Sequence, residues 1–151
     1  MQEPKLDSVA VAKHIAYLCY ENGYDCNHTK IQKLLYICYG AFLAEYNVKL
    51  VDEQPQAWQY GPVFPEVFRY IAKSGQDYAE KMNINDEKIA KDICQIVKCF
   101  GIYPAGKLSA WSHITGSPWD QVVMKDKPEW GVPIPDKIIK EYFVAKVIKH
   151  D

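Results

Sequence analysis

The segment that most constrains the fold is IQKLLYICYGAFLAEY, which spans residues 31–46. Apolar side chains recur along it at helical spacing and form one stripe: Ile31, Leu34, Leu35, Cys38 and Phe42. A second side carries further large side chains: Tyr36, Tyr39, Leu43 and Tyr46. Because a helix that is apolar on most sides is buried on most sides, residues 30–46 are predicted to form the central helix of the fold. Thr29 and Gln32 have the spacing of a capping box at its start.

Similar periodicity, with capping residues and closing glycines, predicts further helices on both sides of the central one. They fall at residues 8–22, 65–74, 86–100, 108–114, 118 onward, and 136–148. The short runs Lys49–Val51 and Gln56–Gln59 lie between turn residues and predict a small two-stranded element. The sequence therefore predicts a mainly α single domain over residues 1–151. It should have about six helices and at most one small β-hairpin near residues 49–59.

The chain is almost electrically neutral, with a net charge of −1 and a pI of about 6.4. Proteins that bind phosphate backbones are normally basic, because phosphate contacts supply most of their affinity, so direct nucleic-acid binding is not expected. No stretch approaches the roughly 20 apolar residues of a membrane span. The first residues also lack the apolar run and cleavage site of a signal peptide. We therefore expect a cytoplasmic protein without membrane contact.

The five cysteines, at positions 19, 26, 38, 94 and 99, include no Cys-x-x-Cys pair. Cys26-x-His28, near Cys19, comes nearest to a metal-binding motif, but no second Cys/His pair has suitable spacing. The plainer interpretation makes Cys19 and Cys38 small core residues on helical stripes. No metal site is predicted.

His113 is the main candidate for catalysis, because Ser109, Ser112 and Ser117 lie close to it in sequence. A serine and a histidine four positions apart on a helix meet, so Ser109 and His113 could share a hydrogen bond. An activated nucleophile also needs an orienting carboxylate and an oxyanion site, which no sequence motif indicates. We therefore favour a structural role for His113, as a partly buried hydrogen-bonding residue at a corner of the fold.

The stretch AWQYGPVFPEVF, residues 57–68, concentrates aromatic side chains around a Gly-Pro dipeptide. Trp58, Gly61 and Pro62 are expected to form a structural corner. Aromatic and arginine side chains also anchor protein interfaces, because they offer a large contact area at a small entropy cost. Some of the following side chains are expected to bind a partner while others enter the core: Tyr60, Phe64, Phe68 and Arg69.

Three motifs resemble, in order and spacing, those of one family. They are IQKLLY at residues 31–36, AWQYGPVFPEV at residues 57–67, and LSAWSHITGSPW at residues 108–119. Over roughly residues 8–125 the chain resembles the Panacea domain, also called SocA-like or phage-associated GepA-like. The second and third motifs are each fairly specific, and their order makes a chance agreement improbable.

The resemblance implies an antitoxin, found beside small toxins in bacterial and prophage toxin–antitoxin pairs, that neutralises its cognate protein toxin by direct binding. It implies no enzymatic activity and no cofactor. The toxin-binding face would include outward side chains of residues 57–68, and the following residues are expected to be structural: Trp58, Gly61, Pro62, His113, Ser117, Pro118 and Trp119. Two alternatives stay open, a proteolytic adaptor that delivers the toxin to a protease and a small hydrolase that uses His113. The sequence also leaves open whether the chain forms a homodimer.

Overall fold

The central helix of the fold, α2, spans His28–Tyr46 in a computed structural model that describes residues 3–75, 77–123 and 130–148. Every residue from Lys30 to Leu43 is buried, so the prediction of a helix enclosed on most sides is confirmed. Its apolar circumference packs against the helices on both sides of it in sequence. The burial of fourteen consecutive residues makes α2 the axis on which the other elements are assembled.

Six further helices occur in the described residues, and they surround α2. They are α1 (Ser8–Glu21), α3 (Pro65–Ser74), α4 (Glu87–Phe100), α5 (Ala105–Ser112), α6 (Pro118–Val122) and α7 (Asp136–Tyr142), the last continued by a π-helical turn at Phe143–Val147. Helices α1, α3, α4, α5 and α7 all contact α2. The prediction of a mainly α fold is confirmed. No helix in this described part of the chain has the length and hydrophobicity needed to cross a membrane.

The small sheet has three antiparallel strands in the order β2-β1-β3: β1 (Gln56–Trp58), β2 (Gly61–Val63) and β3 (Val132–Pro133). The β1–β2 hairpin turns at Gln59 and Tyr60. Lys49–Val51 does not pair with β1 as predicted; Val51 instead forms an isolated parallel bridge with Leu6. Both edge strands contain a proline, which is tolerated there because an edge residue need not donate a ladder hydrogen bond.

The helix starts follow local capping chemistry, with one correction. Asp7, Asp86 and Ser117 cap α1, α4 and α6, and each side chain accepts from backbone N–H groups of the first turn. The prediction of a capping box at Thr29 and Gln32 was wrong. Asn27 caps α2 instead by accepting from the Lys30 backbone N–H at 2.8 Å, because the Gln32 amide is engaged with another segment of the chain.

Candidate functional site

A groove of about 590 Å³ lies between the start of α2, the β1–β2 hairpin, α3 and the first turn of α5. We call it the aromatic groove, and it is lined mainly by His28, Lys33, Trp58, Tyr60, Phe68 and Ser109. All three sequence motifs described above contribute residues to it. The fold thus brings together segments that are far apart in the chain.

One wall of the aromatic groove is a row of ring contacts that leaves apolar surface open to solvent. The Phe68 ring lies 4.9 Å from the His28 ring and 5.0 Å from the Trp58 ring. Phe68 remains 39% exposed, and Tyr60, at the hairpin turn, is 68% exposed. Two of the four predicted partner-binding residues therefore meet here with accessible side chains, which is typical of a surface that can bind a protein.

The other two predicted partner-binding residues do not line the groove. Phe64 is fully buried, with its ring edge-on to Tyr39 at a centroid distance of 5.6 Å, so its side chain belongs to the core and not to an outward face. Phe64 directly precedes α3 and has an extended backbone, so the helix does not determine the direction of its side chain. Arg69 is exposed on α3 beside Phe68.

The β1–β2 hairpin is held in place by side chains that bind its backbone. Lys33 Nζ donates to the Pro62 carbonyl at 2.9 Å, and Ser109 Oγ donates to the Tyr60 carbonyl at 3.0 Å. Trp119 Nε1 donates to the Trp58 carbonyl at 2.6 Å. Just after the hairpin, the Gln32 amide donates to the Phe64 carbonyl and accepts from the Phe64 N–H. These bonds fix the shape of the groove before any partner arrives.

Gly61 is the point at which the hairpin approaches the helices most closely. Its φ angle is +120°, a conformation that is essentially confined to glycine. A Cβ added there would lie 2.5 Å from Ser112 Oγ and 3.2 Å from Lys33 Nζ. The structure therefore requires glycine at this position both for its backbone angle and for the close contact with α2 and α5.

Lys33 places a positive charge in the floor of the groove. Burial lowers the pKa of its ammonium to about 8, so the group is still largely protonated at pH 7. The pKa of His28 is lowered from its ordinary value, first by burial and then by the positive charge of Lys33. His28 therefore carries less positive charge at neutral pH than an exposed histidine does, and Lys33 is the main charged residue that lines the groove.

Because Lys33 is buried, the free energy of unfolding should depend on pH. The folded pKa of about 8 lies below the ordinary value of 10.5, so the unfolded chain binds more protons between these values and folding is favoured as pH rises. Below pH 8 the folded protein bears the full free-energy cost of burying the charged ammonium group. This cost falls as the pH approaches 10.5, by at most about 3 kcal/mol. Urea unfolding at pH 7 and pH 10 should show wild type gaining stability relative to Lys33→Met, a comparison in which other titrating groups cancel. An unchanged difference between the two proteins would contradict this assignment.

The third motif forms a support behind the groove. Ser117 caps α6, Pro118 is buried at its first position, and the His113 ring lies 5.3 Å from the Trp119 ring. Ser109 and His113 do not share the hydrogen bond that their spacing allows, because Ser109 Oγ donates to the Tyr60 carbonyl instead. His113 Nδ1 is buried and has no hydrogen-bond partner within residues 3–75, 77–123 and 130–148. The described residues thus show no assembled Ser-His-acid arrangement.

Two of the five cysteines lie within the core. Cys19 and Cys38 are buried, and Cys26 is half-buried with its Sγ 3.8 Å from the Ala16 carbonyl. His28, the other member of the Cys26-x-His28 motif, packs its ring on Phe68. Where the structure describes the chain, no group of three or more His, Cys, Asp or Glu side chains could hold a metal ion.

Sequence reasoning missed the polar side chains of α2 that hold the hairpin, Gln32 and Lys33. Their position could have indicated this role, because both lie in a helix predicted to be buried on most sides. A buried polar side chain must find a hydrogen-bond partner, so these two residues mark the places where other segments dock on α2. Lys30 does the same at another site, with its Nζ donating to the Gly101 carbonyl at 2.8 Å.

Comparison with known proteins finds one family and one relative that are similar to the chain. Residues 31–120 match the family model described as Antitoxin SocA-like, Panacea domain. The chain is also 31% identical to Antitoxin SocA of Caulobacter vibrioides (strain NA1000 / CB15N), in an alignment that covers 94% of this chain and 85% of that protein. No solved structure matches the chain.

The family match spans all three motifs that build the aromatic groove and its support. The similarity to the curated antitoxin extends over nearly the whole chain and therefore includes the outer helices. On these findings the chain belongs to the SocA-like antitoxin family that is defined by the Panacea domain.

Proposed function

We propose that this antitoxin neutralises a cognate protein toxin by binding it directly, with the aromatic groove as the contact surface. The observation that carries the proposal is the pair Tyr60 and Phe68, which expose aromatic surface on a hairpin and a helix already fixed by hydrogen bonds. Rigid aromatic side chains lose little entropy on binding and commonly supply the central contacts of an interface. Arg69 extends this surface along α3.

Direct binding and delivery to a protease predict different outcomes in a purified system. The toxin is incubated with the antitoxin at increasing ratios in the absence of any protease, and its residual activity is measured. Under the proposal, inhibition is complete at a fixed stoichiometric ratio. Inhibition that appears only after a protease is added would show that the chain acts as a proteolytic adaptor.

Membership of an antitoxin family suggests a non-enzymatic role, and His113 provides the test of the hydrolase alternative. Because its ring packs on Trp119, His113→Ala should lower the free energy of unfolding by about 1–3 kcal/mol. Where the variant is folded, it should neutralise the toxin as wild type does. Loss of neutralisation in a stably folded His113→Ala protein, established by a thermal melt, would overturn the structural role of this residue.

We further propose that the pair functions in the cytoplasm as a bacterial or prophage toxin–antitoxin system, and that residues 1–151 act as a single domain. The five free cysteines are compatible with a reducing compartment. The near-neutral charge favours a protein partner over nucleic acid.

A further inference from the structure

Lys33 is a buried cation whose charge has no counter-ion in residues 3–75, 77–123 and 130–148. Only 3% of the residue is exposed, and no described carboxylate lies within ion-pair distance of its ammonium group. Its hydrogen bond to the Pro62 carbonyl uses one of three N–H donors. An incompletely paired buried charge is costly, so an additional acceptor at this position would be favourable.

The surroundings of Lys33 favour an anionic acceptor. Among the described residues that line the aromatic groove, none is aspartate or glutamate. Trp58, Tyr60 and Phe68 line the same groove, so the charge lies beside apolar surface, and an ion pair is stronger where less water surrounds it. The groove is therefore positively charged at its floor and apolar at its wall.

The groove also has room for a side chain from another protein. Its volume is about 590 Å³, and a Cβ added at Gly106 would meet no atom within 4 Å. The surface of α5 is thus open at Gly106, which lines the groove.

We propose that the aromatic groove receives a segment of the toxin that places a carboxylate on the Lys33 ammonium and an adjacent apolar side chain against Trp58 and Phe68. This inference rests on the proposed function and specifies the chemistry of the partner. The carboxylate supplies the missing negative charge, and the apolar neighbour covers the exposed rings. A partner segment that has only the carboxylate or only the apolar side chain should therefore bind more weakly.

The first test compares two buried lysines of α2 that differ in their relation to the groove. Lys30 and Lys33 are both 3% exposed, and each donates to a backbone carbonyl, but only Lys33 lines the groove. In calorimetric titrations with the purified toxin, Lys33→Met should weaken binding by about tenfold to a hundredfold, the usual range for a hydrogen bond to a charged group. Lys30→Met should bind within about twofold of wild type.

A second test leaves the antitoxin unaltered and is independent of how well the variants fold. A carbodiimide activates a carboxyl group, and an amine in direct contact then attacks the activated carbon to form an amide bond. The carbodiimide takes up the elements of water and leaves as a urea. Treatment of the wild-type complex, followed by peptide mass spectrometry, should give an amide between Lys33 and one aspartate, glutamate or terminal carboxylate of the toxin. Changing that acidic residue to its amide should weaken binding to wild type but not further weaken binding to Lys33→Met.

These outcomes separate this inference from the proposed function. If wild type binds the toxin and a folded Lys33→Met variant binds equally well, or if crosslinks form only through other lysines, the carboxylate contact is overturned while direct binding stands. If wild type does not bind the toxin at all, the proposed function itself fails.

Discussion

Gly61→Ala should lower the free energy of unfolding by about 2–6 kcal/mol. Adopting a φ of +120° costs a residue with a Cβ roughly 1–3 kcal/mol, and forcing that atom into the packed contact costs about the same again. Ser112 Oγ, only 2.5 Å from the added Cβ, cannot move freely because it donates to the Ser109 carbonyl at 2.7 Å. Equilibrium urea unfolding of the purified variant measures this loss.

Gly116→Ala is the matched control for the backbone angle. Gly116 also has a positive φ, +87°, but a Cβ added there would meet no atom within 4 Å. Its replacement should cost only about 1–2 kcal/mol. Removing Ser112 Oγ in the double variant Gly61→Ala, Ser112→Ala should recover part of the loss seen for Gly61→Ala. If Gly61→Ala and Gly116→Ala lose equal stability and the double variant recovers none of it, the hairpin does not press against α5 at this point.

Phe64→Ala should destabilise the fold by about 3–5 kcal/mol, the usual range for truncating a buried phenylalanine. The ring is fully buried and packs edge-on against Tyr39, so its removal leaves a cavity beside α2. Thermal and urea unfolding should both report the loss. Any effect on toxin binding should disappear when the fraction of unfolded protein is taken into account.

Phe68→Ala is the matched control, one helical turn further along the chain. Because Phe68 is 39% exposed, its truncation should cost less than about 2 kcal/mol of stability. The two variants should therefore differ. Phe64→Ala should lower stability, whereas Phe68→Ala should weaken toxin binding. A Phe64→Ala protein as stable as Phe68→Ala would show that the start of α3 is packed differently.

The helices could be predicted because their signals are local. Caps such as Asp86 and Ser117, the proline at the start of α3 and the apolar stripes all act within one or two turns of chain. The pairing of the strands could not be predicted in the same way. The choice of Gly61–Val63 over Lys49–Val51 as the partner of β1 depends on contacts with Lys33 and Ser109, which come from distant segments.

The division of the aromatic residues between core and surface was also beyond local reasoning. Helical spacing would place Phe64 and Phe68 on one face, but Phe64 precedes the first turn of α3, with φ −95° and ψ 106°. Its side chain is therefore directed by the extended backbone and by the Gln32 amide that binds its peptide groups. Only the three-dimensional structure separates the buried ring from the one that lines the groove.

A calorimetric titration of purified toxin into Tyr60→Ala shows whether the toxin binds at the aromatic groove. Tyr60 is 68% exposed at the hairpin turn, so its truncation should leave the melting temperature close to that of wild type. Tyr20→Ala is the matched control, because Tyr20 is 57% exposed and does not line the groove.

Truncating an aromatic residue at the centre of an interface typically costs 2 kcal/mol or more, which is roughly a thirtyfold loss of affinity. Tyr60→Ala and Phe68→Ala should each lose about this much affinity, Arg69→Ala should lose less, and Tyr20→Ala should bind with wild-type affinity. Wild-type affinity in folded Tyr60→Ala and Phe68→Ala proteins would show that the toxin does not bind at the aromatic groove and place the toxin-binding face elsewhere on the molecule.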